Sequence, residues 1–382
     1  MRVLVGCWPA YGHLLPMLPL VRAAQRAGHD VVVSSGSDLA PVLDELGVAG
    51  HRSGLTLAES YGRLPDYTMI SALPPEEQAG FAARYLFGAG AVDRARDLAG
   101  FVDEWQPDLV VHDTLELGSP TVAAERGIPH VTHGYGPMVP DSDRFAAVLG
   151  STIAAAELPD PVVAVLAAPY LDVCPPGLRG TVPYPWPTTI PLQPSAGEAA
   201  ADGSDVPDLS DLPHPDTVYV TLGTIMNQAA GVFRAVIDGC RDLPVNLVVT
   251  TGPGFDPELI GPLPASVRTA PFLPQAALLP LCTAVVSHAG AGTMLGALCH
   301  GLPQLCLPQG TDQPFNTAAL LPTGAALALQ PEEITSDAVA EALGRLLEEP
   351  SFRVAATRVR TEIEQMPTAD AVLAEVVARL AA

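Results

Sequence analysis

The sequence predicts an α/β protein made of two Rossmann-like domains that face each other across a cleft. Two observations carry this expectation. Apolar runs of strand length alternate with helical patterns twice along the chain, once on each side of a small-residue acidic segment. The chain is also long enough for two cores: single cores stop growing at roughly 250–300 residues, and this one has 382, of which 48% are hydrophobic.

The first series opens at Val3 to Cys7 and continues through Asp30 to Ser34, Asp108 to His112 and His130 to Thr132, each an apolar run of the kind that forms a buried parallel strand. Between the first two, Leu14, Leu18, Leu20 and Val21 mark a helix. A proline-rich stretch, Pro175 to Pro194, leads into Ser195 to Pro215, which shows no period and reads as the interdomain linker. The second series runs through Val218 to Leu222, Asn246 to Thr250, Val267 to Ala270, Ala284 to Ser287, Gln304 to Leu307 and Ala325 to Leu329. Helical periodicity fills Ser336 to Glu348, Phe352 to Glu364 and, after Met366-Pro367, Ala369 to Leu380. Ligands of open parallel sheets lie beyond the carboxyl ends of the strands, which puts the expected site in the interdomain cleft.

Composition removes several functions. The formal charge of −23 opposes a nucleic-acid backbone or an anionic membrane, so neither is an expected partner. All 19 basic residues are arginine. A chain without lysine has no Schiff-base lysine, no lysine nucleophile and no Walker phosphate loop. Six scattered cysteines with no Cys-x-x-Cys read as reduced core residues. The N-terminus enters directly into a strand and no apolar run reaches about 18 residues, which places the protein in the cytoplasm without membrane insertion. A homodimer is compatible with these features.

The most informative segment follows strand Ala284 to Ser287. His288-Ala-Gly290-Ala291-Gly292-Thr293 places a histidine and two glycines at a strand-to-helix junction, where free N–H groups and the positive helix end receive an anion. That is a seat for a diphosphate. The next strand leads into Asp312-Gln313, an acid–amide pair suited to sugar hydroxyls beside it. A nucleotide sugar fits both ends. The same glycines resemble a dinucleotide fingerprint, and Asp312 follows Gly292 by 20 residues, but that fingerprint belongs on the first strand of its domain and here follows the fourth.

In the N-terminal half, strand one leads into Trp8 and then Tyr11-Gly12-His13, with His13 opening a helix toward the cleft. An imidazole there is placed to act as a general base. Asp113 ends strand Leu109 to His112 on the same sheet edge, so its carboxylate can hold one ring N–H and orient the other nitrogen. The plainer reading of both residues is helix capping. Asp141-Ser142-Asp143 has the look of a metal motif but follows Pro140 in a loop without partner ligands, and His130 and His133 fall on opposite faces of one strand. No metal is expected. From Gly54 to Phe87, Tyr61, Tyr67, Phe81 and Tyr85 are candidates, with Trp8 and Tyr11, to line an acceptor pocket; an ordinary helix face at i,i+4 explains Phe81 and Tyr85 equally well.

With Gly12-His13-x-x-Pro16, Asp113, Phe272-Leu273-Pro274-Gln275, His288-x-Gly-x-Gly-Thr293 and Asp312-Gln313 in this order, the chain resembles glycosyltransferase family one. More narrowly, it resembles the actinobacterial enzymes that decorate polyketides and other secondary metabolites. The resemblance covers nearly the whole chain. It implies a GT-B fold, with an acceptor domain at 1–205, a nucleotide-sugar domain at 206–366 and a terminal helix at 367–382 packing back on the first domain. It also implies a metal-independent inverting displacement with no cofactor beyond the nucleotide-sugar co-substrate. His13 takes the acceptor proton, Asp113 stabilises the imidazolium, and His288, Gly290, Ala291, Gly292, Thr293 and Thr224 meet the leaving diphosphate. Phe272 and Leu273 meet the base, and Asp312 and Gln313 the donor sugar.

Departures from the wider family refine the donor. Plant members carry a glutamate for the ribose hydroxyls at the position of Gly296 and a tryptophan at that of Phe272. Without that carboxylate, a dTDP-deoxysugar is the expected donor and a natural-product aglycone the expected acceptor. Retaining enzymes of this fold clamp the diphosphate with Arg or Lys, and the donor block has neither. Two other activities fit the same scaffold, a nucleotide-sugar 2-epimerase and carbon–carbon attachment to an aromatic aglycone. A noncatalytic nucleotide-binding partner is a third reading, disfavoured by the intact His13 and Asp113.

Overall fold

The computed structural model describes residues 1–65, 75–137, 150–156, 161–180, 186–197, 207–223, 229–252 and 254–380. Two parallel sheets organise the chain. The first has seven strands in the order β3-β2-β1-β4-β5-β6-β7: β1 Arg2–Gly6, β2 Asp30–Ser35, β3 Ala49–Arg52, β4 Leu109–Asp113, β5 His130–His133, β6 Tyr170–Asp172 and β7 Thr189–Pro191. The second has six in the order β10-β9-β8-β11-β12-β13: β8 Asp216–Thr221, β9 Val245–Thr250, β10 Val267–Ala270, β11 Ala284–Ser287, β12 Gln304–Cys306 and β13 Ala326–Ala328. Sequence patterning locates the central strands of both sheets. It does not reveal β3, β6 and β7, which are short edge-side strands with too few apolar residues to stand out.

Each sheet reverses its winding once. In the first, β1 pairs with both β2 and β4; in the second, β8 pairs with both β9 and β11. Chain turns leaving the two central strands at such a point diverge to opposite faces and open a crevice there.

Helix α1, Tyr11–Arg26, follows β1 and buries Leu14, Met17, Leu18 and Val21, one stripe at i, i+3, i+4 and i+7. It carries Pro16 and Pro19, so the carbonyl of Gly12 loses its usual partner beside His13. Strands β1, β4 and β5 send Val3, Val5, Leu109, Val111 and Val131 to the same side as α1. By strand alternation Asp113 and His133 continue that face at the sheet edge.

The two units share a core. Met294, Leu295 and Leu298 of the helix after β11 join the cluster that contains Leu14 and Leu18, as do Val372, Leu373 and Val376 of the last helix, Ala369–Leu380. That helix lies on α1, where Arg26 also donates three bonds to the Asp370 carboxylate, at 2.8, 3.0 and 3.2 Å. The segment read as a period-free linker is partly packed: Leu212 is buried, and Leu209 packs beside it, against Tyr219 and Leu278. Two leucines three residues apart cover that sheet face without needing a regular element.

Candidate active site

His13 is the third residue of α1, directly beyond β1, and Asp113 is the last residue of β4, so both sit at the first sheet's reversal point. Their side chains meet at 3.1 Å, His13 Nδ1 to Asp113 Oδ1. Asp113 is wholly buried, whereas the His13 side chain keeps 16% exposure. The carboxylate also accepts N–H bonds from Trp8 on Oδ2 (2.5 Å) and from Leu115 and Glu116 on Oδ1 (2.8 and 3.2 Å). Burial pushes the Asp113 carboxyl up, but the facing His13 ring and these N–H groups outweigh it and hold it below the usual range. An ionised Asp113 accepts only, so His13 Nδ1 carries the hydrogen and Nε2 presents its lone pair.

The second reversal point holds the other half. Gly223 lies just beyond β8 and His288 just beyond β11, leading into helix α2, Ala291–Cys299. The His288 imidazole fits between two glycines. A Cβ on Gly223 would lie 2.6 Å from Nε2, and one on Gly290 would overlap the same atom. Ala289 has φ 62°, a left-handed conformation that a side chain adopts only when its surroundings enforce it. Burial pushes the His288 ring down to about 4, against the pull of Asp312, and the ring is neutral at pH 7. The first N–H groups of α2 have no intrahelical acceptor, and with Gly290 as N-cap no side chain supplies one.

Asp312 and Gln313 open helix α3, Gln313–Leu320. They do different work. Gln313 is buried and its Oε1 accepts from Gln309 N (2.7 Å) and Gly310 N (3.1 Å), so the carbonyl end is spent on the turn. Asp312 is half-exposed, braced by Asn316 Nδ2 at 2.7 Å. The same amide nitrogen donates to Ala289 O at 2.9 Å and ties this turn to the strained one before α2.

Phe272 is 58% exposed, an unusual state for a large aromatic, and Leu273 beside it is half-buried. Thr293 is buried and accepts from Gln275 Nε2 at 2.9 Å. At Gly296 a Cβ would meet Leu279 Cδ1 at 3.3 Å and Ala196 Cα at 3.5 Å, so the chain entering the second domain occupies that side of α2. Thr224 lies outside the described residues.

Across the cleft, the Tyr135 ring packs on His13 at 4.6 Å between centroids. Gly136 faces Ala291 so closely that a Cβ would stand 2.5 Å from the Ala291 Cβ. The mouth of α2 therefore opens beside the His13–Asp113 pair. Tyr135 and Asn316 were not among the sequence candidates, although a Gly-Tyr-Gly after a strand and an Asn one turn beyond Asp312 were available signals; His133 was considered only as half of a metal pair. His133 pairs with Asp113 in the strand register and is buried, and burial pushes its ring down to about 4.

Of the acceptor candidates, Trp8 is buried, packing at 5.0 Å on Phe87 with Leu86 and Tyr61 around it. Tyr11 is exposed, and Phe81 and Tyr85 stack at 6.1 Å as an i,i+4 pair. Tyr67 and the Asp141-Ser142-Asp143 segment lie outside the described residues. Among the described residues no group of three or more His, Cys, Asp or Glu side chains is arranged to hold a metal ion, and no helix is long and apolar enough to cross a membrane.

Two parallel-sheet domains with polar groups gathered at both reversal points match the fold of GT-B glycosyltransferases. The N-terminal domain of the erythromycin biosynthesis protein CIII-like family matches residues 22–182 and its C-terminal domain residues 234–381; the chain belongs to this family. It is 32% identical to an L-demethylnoviosyl transferase of Streptomyces niveus, over 98% of this chain and 97% of that one. Among solved structures, the glycosyltransferase SnogD from Streptomyces nogalater superposes with a TM-score of 0.78 at 26% identity, covering 100% of this chain and 99% of that one. The glycosyltransferase VinC in complex with dTDP gives the same TM-score, identity and coverage.

Proposed function

We propose that this glycosyltransferase moves a deoxysugar from a dTDP-sugar to a hydroxyl of a natural-product aglycone such as a polyketide, with inversion and without a metal. One observation carries the reading: a base-competent pair, His13–Asp113, stands across a narrow gap from a helix mouth whose N–H groups are unspent. The diphosphate lies against Ala291, Gly292 and His288, where fixed dipoles meet the charge that develops on the leaving oxygen. The thymine stacks on exposed Phe272. Asp312 accepts from sugar hydroxyls, while Gln313 holds the turn that aims it. His13 Nε2 then takes the acceptor proton as its oxygen attacks the anomeric carbon from the face opposite the diphosphate. Asp113 stabilises the imidazolium that results.

The donor assignment is supported by the dTDP held by a solved relative and by Gly296, which offers no ribose-binding carboxylate at that position of α2. His13→Ala should lower transfer to a panel of polyketide aglycones by about 10²–10⁴-fold while dTDP binding by calorimetry survives. NMR of the product should show the anomeric configuration opposite to the donor's, and EDTA should leave turnover unchanged. Full turnover by His13→Ala would end the base assignment, and retained configuration would end the single-displacement mechanism.

A further inference from the structure

Beneath the His13–Asp113 pair lies a buried charge pair that the proposed chemistry does not touch. Arg94, in the long helix Ala89–Trp105, is 3% exposed, and Glu116, in the turn after β4, is 1% exposed. Their charged groups approach at 3.5 Å, Arg94 Nε to Glu116 Oε1. Burying two charges is costly unless each is fully engaged. Glu116 accepts from Gly118 N (2.8 Å) and Ser119 N (3.1 Å). Arg94 Nη1 donates to the carbonyl of Cys7.

That carbonyl belongs to the peptide unit whose N–H, on Trp8, donates to Asp113 Oδ2 at 2.5 Å. One peptide plane therefore links the guanidinium to the dyad carboxylate. Ser35 Oγ also donates to Cys7 O, at 2.8 Å, so the carbonyl is held from two sides. Donors on a carbonyl polarise its amide and strengthen the bond given by the N–H. From the other end, Glu116 N donates to Asp113 Oδ1 at 3.2 Å.

The backbone has made room for this arrangement. A Cβ on Gly6 would overlap Glu116 Oε2 and Ser119 Oγ, and one on Gly118 would stand 2.7 Å from Arg94 Cβ. Gly54, at φ 67°, faces Arg94 Nε at 3.3 Å. Glycines drawn from three separate segments bound the one ion pair.

We infer that Arg94, braced by Glu116, is a positioning residue that fixes the Cys7–Trp8 peptide and through it the Asp113 carboxylate that aims His13. The inference rests on the His13–Asp113 reading. Beyond His13 and Glu116, the titratable groups near Asp113 are Cys7, His112, His133 and Tyr135; His112 Nδ1 meets the Asp113 backbone carbonyl at 3.0 Å, and among the described residues none of the four bonds Oδ2.

The test uses the full-length enzyme and the double variant Arg94→Met/Glu116→Gln, which removes both charges together and leaves neither stranded. Its melting temperature and dTDP affinity should stay close to those of the parent. The downfield Nδ1–H resonance of His13, assigned by its absence in His13→Ala, should move upfield and exchange faster with water. With an acceptor turned over by the parent, kcat should fall about 10- to 100-fold, as misplacement of a catalytic group by about 1 Å does, with the donor KM unchanged. Arg94→Lys keeps the charge and one donor and should fall between the two. It also decides the matter if the double variant does not fold. An unmoved resonance with parental kcat, in either variant, would overturn the inference, as would a kcat loss matched by an equal loss of dTDP affinity. If His13→Ala itself retains turnover, the dyad reading fails instead, whatever Arg94 does.

Discussion

Asp113 and His288 show how surroundings decide whether a buried titratable group is held charged or neutral. Asp113 is buried yet ionised because four N–H groups, one of them on the His13 ring, converge on two oxygens. His288 is half-buried with its Nδ1 enclosed and, among the described residues, without a partner, and burial keeps it neutral. A diphosphate arriving at the α2 mouth favours the charged imidazolium, so the ring that sits at about 4 when free must rise on donor binding. Binding of an intact dTDP-sugar, whose diphosphate has no group titrating near pH 6, is therefore expected at pH 6 to take up a fraction of a proton. Calorimetry in two buffers of different ionisation enthalpy measures it, and His288→Gln should abolish the buffer dependence. Equal heats in both buffers for the parent would contradict the placement. His13, Asp113 and His288 were legible in the sequence because each ends or follows an apolar strand, where side chains reach the cleft. Arg94 was not. It reads as one more arginine on a helix, and its partners Cys7 and Glu116 lie 87 and 22 positions away.

At the scale of elements, the site is built from strand-to-helix turns rather than from the strands. The turn before α2 and the turn before α3 both contain non-glycine residues with positive φ, Ala289 at 62° and Thr311 at 57°. Such strain persists only when neighbours hold it. Asn316 is that neighbour: buried at 1%, it bonds Ala289 O in one turn and Asp312 in the other. Asn316→Ala should destabilise the fold by about 1–3 kcal/mol, the cost of leaving buried polar groups unpaired, and should weaken donor binding as well. Denaturant unfolding and calorimetry on the same variant check both effects; stability lost with dTDP-sugar affinity intact would make Asn316 a purely structural residue. Gly290-Ala291-Gly292 announced the first turn in sequence. The bridging role of Asn316 depends on how the β11 and β12 turns approach each other, which spacing alone does not encode.

For the whole molecule, the central feature is that two independent sheets bring their reversal points to one cleft. The repeated strand-and-helix series made both sheets legible, and the position of each motif after a central strand made their edges legible too. The facing of the edges was expected from the fold class, but the contacts that fix it were not legible. It depends on packing that joins Leu14 and Leu18 of α1 to Met294, Leu295 and Leu298 of α2, and on the last helix returning to α1. These contacts span nearly the full length of the chain, so no local window contains them. They hold the α2 mouth beside Tyr135 and His13, and they make the gap narrow enough that Gly136 tolerates no side chain opposite Ala291. A crystal structure of the enzyme with dTDP tests this arrangement most directly. The pyrophosphate is expected at about 3 Å from the N–H groups of Ala291 and Gly292, with the distal phosphate turned toward His13 Nε2. A diphosphate bound away from α2, or one whose distal phosphate points out of the cleft, would contradict it.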